Sequence, residues 1–219
     1  MTCFVKPSDG LQMTTPSKTL PRREQILAHA LDLFGAHGMH NVTTRQIAAA
    51  VGISQPSLYA HFATRDAIGV ELCRRAFERL HDCLVEAIAI DASPEERLYR
   101  LGRDYIRFGL SNEAAYRVAF MTPMSQASID GKAAVIASGV RAFSVLRGLY
   151  AEVLGAASPA VDARAQSCWA SVHGIVALLL DRPEFPWINR DALVHLHLKQ
   201  LTTIAFLKSD ASSSMASPL

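Results

Sequence analysis

Residues 43–62 read TTRQIAAAVGISQPSLYAHF, and the rest of the chain is organised around them. Thr43 followed three residues later by Gln46 is a capping box, the start signal of a helix. Ile47, Ala48 and Val51 mark one inward face of that helix. Gly52 stops it, because glycine enters the left-handed conformation without a Cβ clash. Ser54 then caps a second helix, in which Pro56 is tolerated because it falls in the first turn. Leu58 and Phe62, four apart, form its inner face and predict a helix over 55–62. Gln55, Ser57, Tyr59 and His61 remain on the outer face and ends. The pattern predicts a helix-turn-helix, and a short helix with hydrogen-bonding but few acidic groups outside suits a DNA major groove.

Outward from this unit the chain reads as all-α, about nine helices with no strand pattern and no repeat. Residues 1–19 mix Pro, Gly, Ser and Thr without periodicity and read as a flexible arm. A helix is expected over 21–37, with Leu27, Ala30, Leu31 and Phe34 on one stripe and Gly38 at its end. Thr64 caps a long helix to about Ile90. Ser93-Pro94-Glu95-Glu96 is a capping box with proline at the first helical position, opening a helix to about Leu110. Asn112 opens a shorter one ending near Met121, before Thr122-Pro123. An irregular stretch over 124–130 precedes a helix over 132–154. Ser158-Pro159 opens the next, closed by Pro183, and Asn189 caps the last, reaching about Lys208. The tail from 209 is rich in small polar residues and reads as disordered. The expected division is therefore an arm (1–19), a DNA-binding domain (20–80), a larger helical domain (81–208) and a tail (209–219).

Composition narrows the function classes. Half the residues are hydrophobic and 19% charged, enough for a sizeable core. No uninterrupted apolar run approaches the ~20 residues of a membrane span, and the N-terminus lacks a signal peptide's pattern, which implies a cytoplasmic protein. Four scattered cysteines without a CxxC pair read as free thiols. The formal charge is +2, and residues 1–66 carry all of that excess, six Lys/Arg against four Asp/Glu. The sign favours DNA but the size is small. The last two long helices are apolar on two faces, which implies burial on both and thus a homodimer through residues 159–182 and 190–208. A single central core helix is the plainer reading of the same pattern.

The order helix, helix-turn-helix, long fourth helix resembles the TetR/AcrR family of transcriptional regulators. The residues that carry it are IL..AL.LF...G at 26–38, TTRQIA at 43–48, VGIS at 51–54 and SLYAHF..RD at 57–66. Trp169, His173 and Gly174, in CWASVHGIVAL, resemble the Trp-His-Gly signature of one C-terminal subgroup. The resemblance implies that Arg45 reads guanine, that Gln55 reads adenine, and that Pro56 meets a thymine methyl. It implies phosphate contacts for Thr43, Thr44, Ser57, Tyr59, His61 and Arg65, which set register rather than sequence. Ala63 departs from members with a basic or polar residue there, so one backbone contact is expected to be missing. For each of these residues the plain alternative is a solvated side chain. The resemblance also implies a pocket for a largely apolar effector, with Tyr105, Phe108, Tyr116, Phe120, Met121, Met124, Phe143, Trp169 and His173 as candidate walls. Ordinary core packing would use the same residue types. Trp169 and His173, four apart, share a face and could stack, and Gly174 would let another helix approach.

The expected function is a homodimeric repressor, released from a palindromic double-stranded operator by that effector, with no cofactor. Two other classes are open. A helical-bundle enzyme would need convergent catalytic or metal groups, and an architectural protein would bind DNA without sequence preference. Glu78-x-x-His81 is half of a di-iron motif, but no other histidine has a glutamate three residues before it. His195 and His197, two apart on a helix, point to different faces. No P-loop, GxGxxG or GxSxG occurs, so neither catalysis nor metal binding is expected.

Overall fold

The computed structural model describes residues 20–123, 127–155 and 158–205. Those residues form nine α-helices and no strand: α1 Arg22–His37, α2 Thr44–Val51, α3 Gln55–Tyr59, α4 Arg65–Ile88, α5 Pro94–Ser111, α6 Glu113–Tyr116, α7 Ile129–Leu154, α8 Pro159–Asp181 and α9 Arg190–Ala205. A 3-10 turn, Met39–Asn41, joins α1 to α2, and a π turn, Arg117–Met121, extends α6. The expected arm, the tail, Met124 and residues 206–208 of the last helix lie outside the described residues.

Most caps form where the sequence puts them. The hydroxyls of Thr43, Ser54, Thr64 and Ser158 each accept from a backbone N–H three residues on. Asn189 accepts from Ala192 N at 2.9 Å. Three expectations need correction. α3 stops at Tyr59 rather than 62, because the backbone tightens there and His61 N turns back to Leu58 O. Ser93 caps α5, but Glu96 is drawn to Arg100 (3.0 Å), so only half the box forms. Asn112 opens α6 as expected, though without a side-chain cap: its amide donates to Phe108 O and so closes α5. Finally, α7 begins at Ile129, inside the stretch expected to be irregular, because Ser128 caps it through Gly131 N.

The interior divides into two hydrophobic cores. The first gathers α1 to α3 and the start of α4, including Ile26, Phe34, Ile47, Leu58 and Ile68. The second gathers the rest of α4 with α5, α7, α8 and part of α9, including Phe77, Leu101, Leu149, Val176 and Leu198. Along α4 the change of core falls between Ala76 and Phe77. Ala115 and Val118 join the first core from far down the chain, so the cores do not divide at a single sequence boundary. A Cβ on Gly35 would lie 2.7 Å from Ala114 Cβ, so its absence lets α1 and α6 touch. Gly102 does the same for α5 against Leu198 of α9. By length and hydropathy α7 alone among the described helices could cross a membrane; here it lies along α4 and α8.

Candidate nucleic-acid interface and ligand cavity

The two motif helices hold each other through an apolar inside and a polar outside. Ile47 and Leu58 are wholly buried beneath them. Gly52, at φ 74°, makes the left-handed turn between them and returns its N–H to Ala48 and Ala49 O. Outside, the hydroxyl of Thr44 lies 3.2 Å from Tyr59 Oη, and Gln55 Nε2 donates to both, at 3.0 and 3.3 Å. These bonds to Thr44 and Gln55 hold the Tyr59 phenol below its usual range. Thr43 is occupied with Gln46, and Ser57 with Ser54 at 2.8 Å. Arg45, Pro56 and His61 are exposed, and the side chains of Arg45 and His61 make no hydrogen bond or ion pair among the described residues. Arg65 differs from expectation: it is half-buried and donates to the carbonyls of His40 (3.1 Å) and Val42 (3.4 Å), clamping the approach to α2. The guanidinium of Arg23 lies 4.7 Å above the ring of Phe62, pinning the far end of the unit to α1.

An ion cluster ties this head to the long helix. Arg75 forks onto Glu24 at 2.5 and 2.8 Å, joining α4 to α1, and bonds Glu71 at 2.7 Å. Glu71 also accepts from Arg23 and Arg74, each at 3.1 Å. Burial raises the carboxyl of Glu71, but these hydrogen bonds outweigh it and hold the group at about 2.

Within the second core lies a cavity of about 640 Å³, lined by α4, α5, the π turn, α7 and α8. Tyr105, Phe120, Phe143, Trp169 and His173 line it, as expected. Phe108, Tyr116 and Met121 do not. Phe108 is buried in the core one turn past Tyr105 on α5, Met121 lies at the end of the π turn, and Tyr116 stands one layer behind the wall. The sequence reading missed Phe77, Leu80 and Leu84 of α4, Leu101 of α5, Val135, Ile136, Val140 and Leu146 of α7, and Gln166 of α8. Their three- and four-residue spacing was visible, but not that a void lies beside them.

A hydrogen-bonded chain runs through the wall. Trp169 Nε1 donates to Tyr105 Oη (3.2 Å), which lies 3.1 Å from Tyr116 Oη, itself 2.6 Å from His173 Nδ1. Burial raises Tyr105 to about 12 and lowers His173 from its ordinary value. The rings of Trp169 and His173 are 6.3 Å apart and tilted by 52°, so they do not stack. A Cβ on Gly174 would meet nothing within 4 Å, so no described helix of this chain packs there.

Residues 26–72 match the family described as bacterial regulatory proteins, tetR family, and residues 98–201 match the tetracyclin repressor-like C-terminal domain. The chain belongs to the TetR family. The transcriptional repressor KstR2 of Mycolicibacterium smegmatis is 32% identical over 84 residues, 38% of this chain and 41% of that protein. The class C tetracycline repressor of Escherichia coli is 40% identical over 47 residues, 22% of each chain. This chain thus spans less than half the length of the curated relatives it matches. The crystal structure of the TetR-family regulator PfmR from Thermus thermophilus shares the fold, with a TM-score of 0.68 at 20% identity over 82% of this chain and 97% of that one.

In this TetR-family chain α4 is not alone in joining head to cavity. The π turn after α6 adds a residue to one helical turn, which splits neighbouring side chains between the cores. Val118 packs in the head, its carbonyl accepting from Cys73 Sγ at 3.2 Å, while Phe120 enters the cavity wall. No sequence signal announces that insertion.

Proposed function

We propose that this chain is a homodimeric transcriptional repressor that leaves a pseudo-palindromic operator when a small molecule fills the cavity. The observation that carries this reading is a solvent-facing helix-turn-helix joined by α4 and α6 to a largely apolar cavity. Arg45 and Gln55 read bases, Pro56 meets a thymine methyl, and Thr43, Thr44, Ser57, Tyr59 and His61 set register on phosphates. Arg65 reaches a phosphate only with the hydrogens its two carbonyls leave over. For Gln55 to engage an adenine through both its oxygen and nitrogen, Nε2 must leave Thr44 and Tyr59. The dimer forms through α8 and α9, where Ala163, Ser167, Ala170 and Gly174 leave a small-residue face beside exposed Leu178, Leu196 and Ile204. Such a twofold places the reading helices about 34–36 Å apart, or a multiple of that. Ligand acts by its differential affinity for two reader spacings. A protein bound to DNA in this way works in the cytoplasm.

Selection of bound fragments from random DNA, followed by footprinting, tests the reading. The expected product is a two-half-site sequence protected by a dimer, with Arg45→Ala or Gln55→Ala relaxing preference at one position per half-site by about 1–3 kcal/mol. Recovery of unenriched DNA would favour an architectural protein instead.

A further inference from the structure

The cavity's polar equipment restricts what can fill it. None of its lining residues carries a charge, and the polar side chains among them are Tyr105, Gln166, Trp169 and His173. A carboxylate or phosphate moved there would lose its hydration with no cation to meet it, a large cost in an apolar site. The other walls are hydrocarbon, with Phe77, Phe120, Phe143 and Trp169 supplying ring surfaces.

Counting hydrogens along the wall gives the chain a direction. Indole nitrogen only donates, so Tyr105 accepts from Trp169 and its own hydrogen is free to go to Tyr116. Tyr116 then donates to Nδ1 of His173. In the reverse direction Tyr116 would donate to Tyr105, and the Tyr105 hydrogen would find no protein acceptor among the described residues. Only the first arrangement gives every hydroxyl hydrogen a protein acceptor, and it leaves neutral His173 with its hydrogen on Nε2. No described protein group engages Nε2, so the cavity receives a single fixed donor from this ring.

We propose that the cavity takes an uncharged, ring-bearing, mostly hydrocarbon molecule with one hydrogen-bond-accepting oxygen, a ketone being the simplest case, and that His173 Nε2–H holds that oxygen. The proposal deepens the effector half of the function above and rests on it for its regulatory meaning. Exposed Ile136 and Val140 at the mouth give such a molecule an apolar entrance. Tyr116 is a positioning residue: it never touches the ligand but fixes which nitrogen of His173 is the donor.

Equilibrium dialysis of the full chain against three isosteric probes tests this. They are 2-acetylphenanthrene (neutral, with an acceptor), phenanthrene-2-carboxylate (anionic) and 2-isopropylphenanthrene (no acceptor). The ketone is expected to bind about tenfold tighter than the hydrocarbon and about a hundredfold or more tighter than the carboxylate. His173→Phe should bring the ketone and hydrocarbon affinities together. Tyr116→Phe should narrow the same gap without altering the wall, an effect that simple packing would not produce. Equal or tighter carboxylate binding, equal ketone and hydrocarbon binding in the unaltered chain, or no binding of any probe would each overturn the proposal. Operator release is measured separately on the selected DNA. Ketone binding without release leaves the ligand class standing and refutes the switch.

Discussion

The reading head and the cavity domain share a helical vocabulary but are built on opposite logics. In the head, the groups proposed to meet DNA are outside and the core beneath holds them still: Leu58 and Ile47 are sealed while Arg45 and Tyr59 face water. In the cavity domain the proposed ligand surface is inside, and the helices leave a volume unfilled. Tight packing is therefore the working condition of one region and would abolish the other. A ligand that fills the second region adds contacts there, and only shared elements can carry the effect to the first.

The largest test of that separation is Leu58→Ala. Leu58 is fully buried in the head and contributes nothing to the cavity wall. The substitution is expected to cost about 2–5 kcal/mol of stability. DNA binding should be lost in gel-shift assays while dialysis still shows a neutral aromatic probe entering the cavity. Loss of both together would show that the two cores fold as one unit, through Ala115, Val118 and the length of α4, and the comparison would have to be withdrawn.

How far each region was legible comes from the same contrast. The head is specified by neighbours in sequence: Thr43 with Gln46, Gly52 at a left-handed turn, Ser54 with Ser57. Such signals lie within a few residues of one another and can be read directly. The cavity is specified by five elements far apart in the chain, and periodicity says which face of a helix is inward but not whether anything fills the space beyond it. Phe108 and Phe143 are the same residue type on inward faces, yet Phe143 lines the cavity and Phe108 does not. Tyr116 looked like wall and is instead the group that orients His173. The π turn was illegible because one extra residue in RVAFM changes no local propensity, only the register of the side chains beyond it.

A second, smaller effect asks what ties the head to α4. Glu71 sits at about 2 when folded, below its ordinary 4.5, because Arg74, Arg75 and Arg23 donate to it more strongly than burial opposes. A depressed carboxylate contributes stability that is complete above about pH 4.5 and lost as pH falls toward 2. After allowance for solvent screening, the shift corresponds to about 2–3 kcal/mol. Denaturant titrations between pH 6 and 2.5 should show that loss, and Glu71→Gln should remove most of the slope. An unchanged slope in the variant would transfer the acid sensitivity to other carboxylates, Glu24 being the next candidate on the same Arg75.

The smallest effect probes the head alone. Tyr59→Phe removes the hydroxyl that holds Gln55 Nε2 at 3.3 Å and Thr44 at 3.2 Å. If Tyr59 serves a phosphate, affinity for every sequence should fall by the same factor, about tenfold or less. The salt dependence should not change, since a phenol releases no counterion; Arg65→Ala, by contrast, should lower its slope by about 1. Discrimination at the base read by Gln55 should hold or rise, because the amide no longer has to leave Tyr59 before it can turn to the groove. Binding of the variant to the selected operator and to each single-base change separates these terms. A collapse of discrimination at that one position would mean that Tyr59 still holds Gln55 in the complex. The three-way contact seen in the free protein would then be the reading geometry itself, not a resting state that DNA must undo.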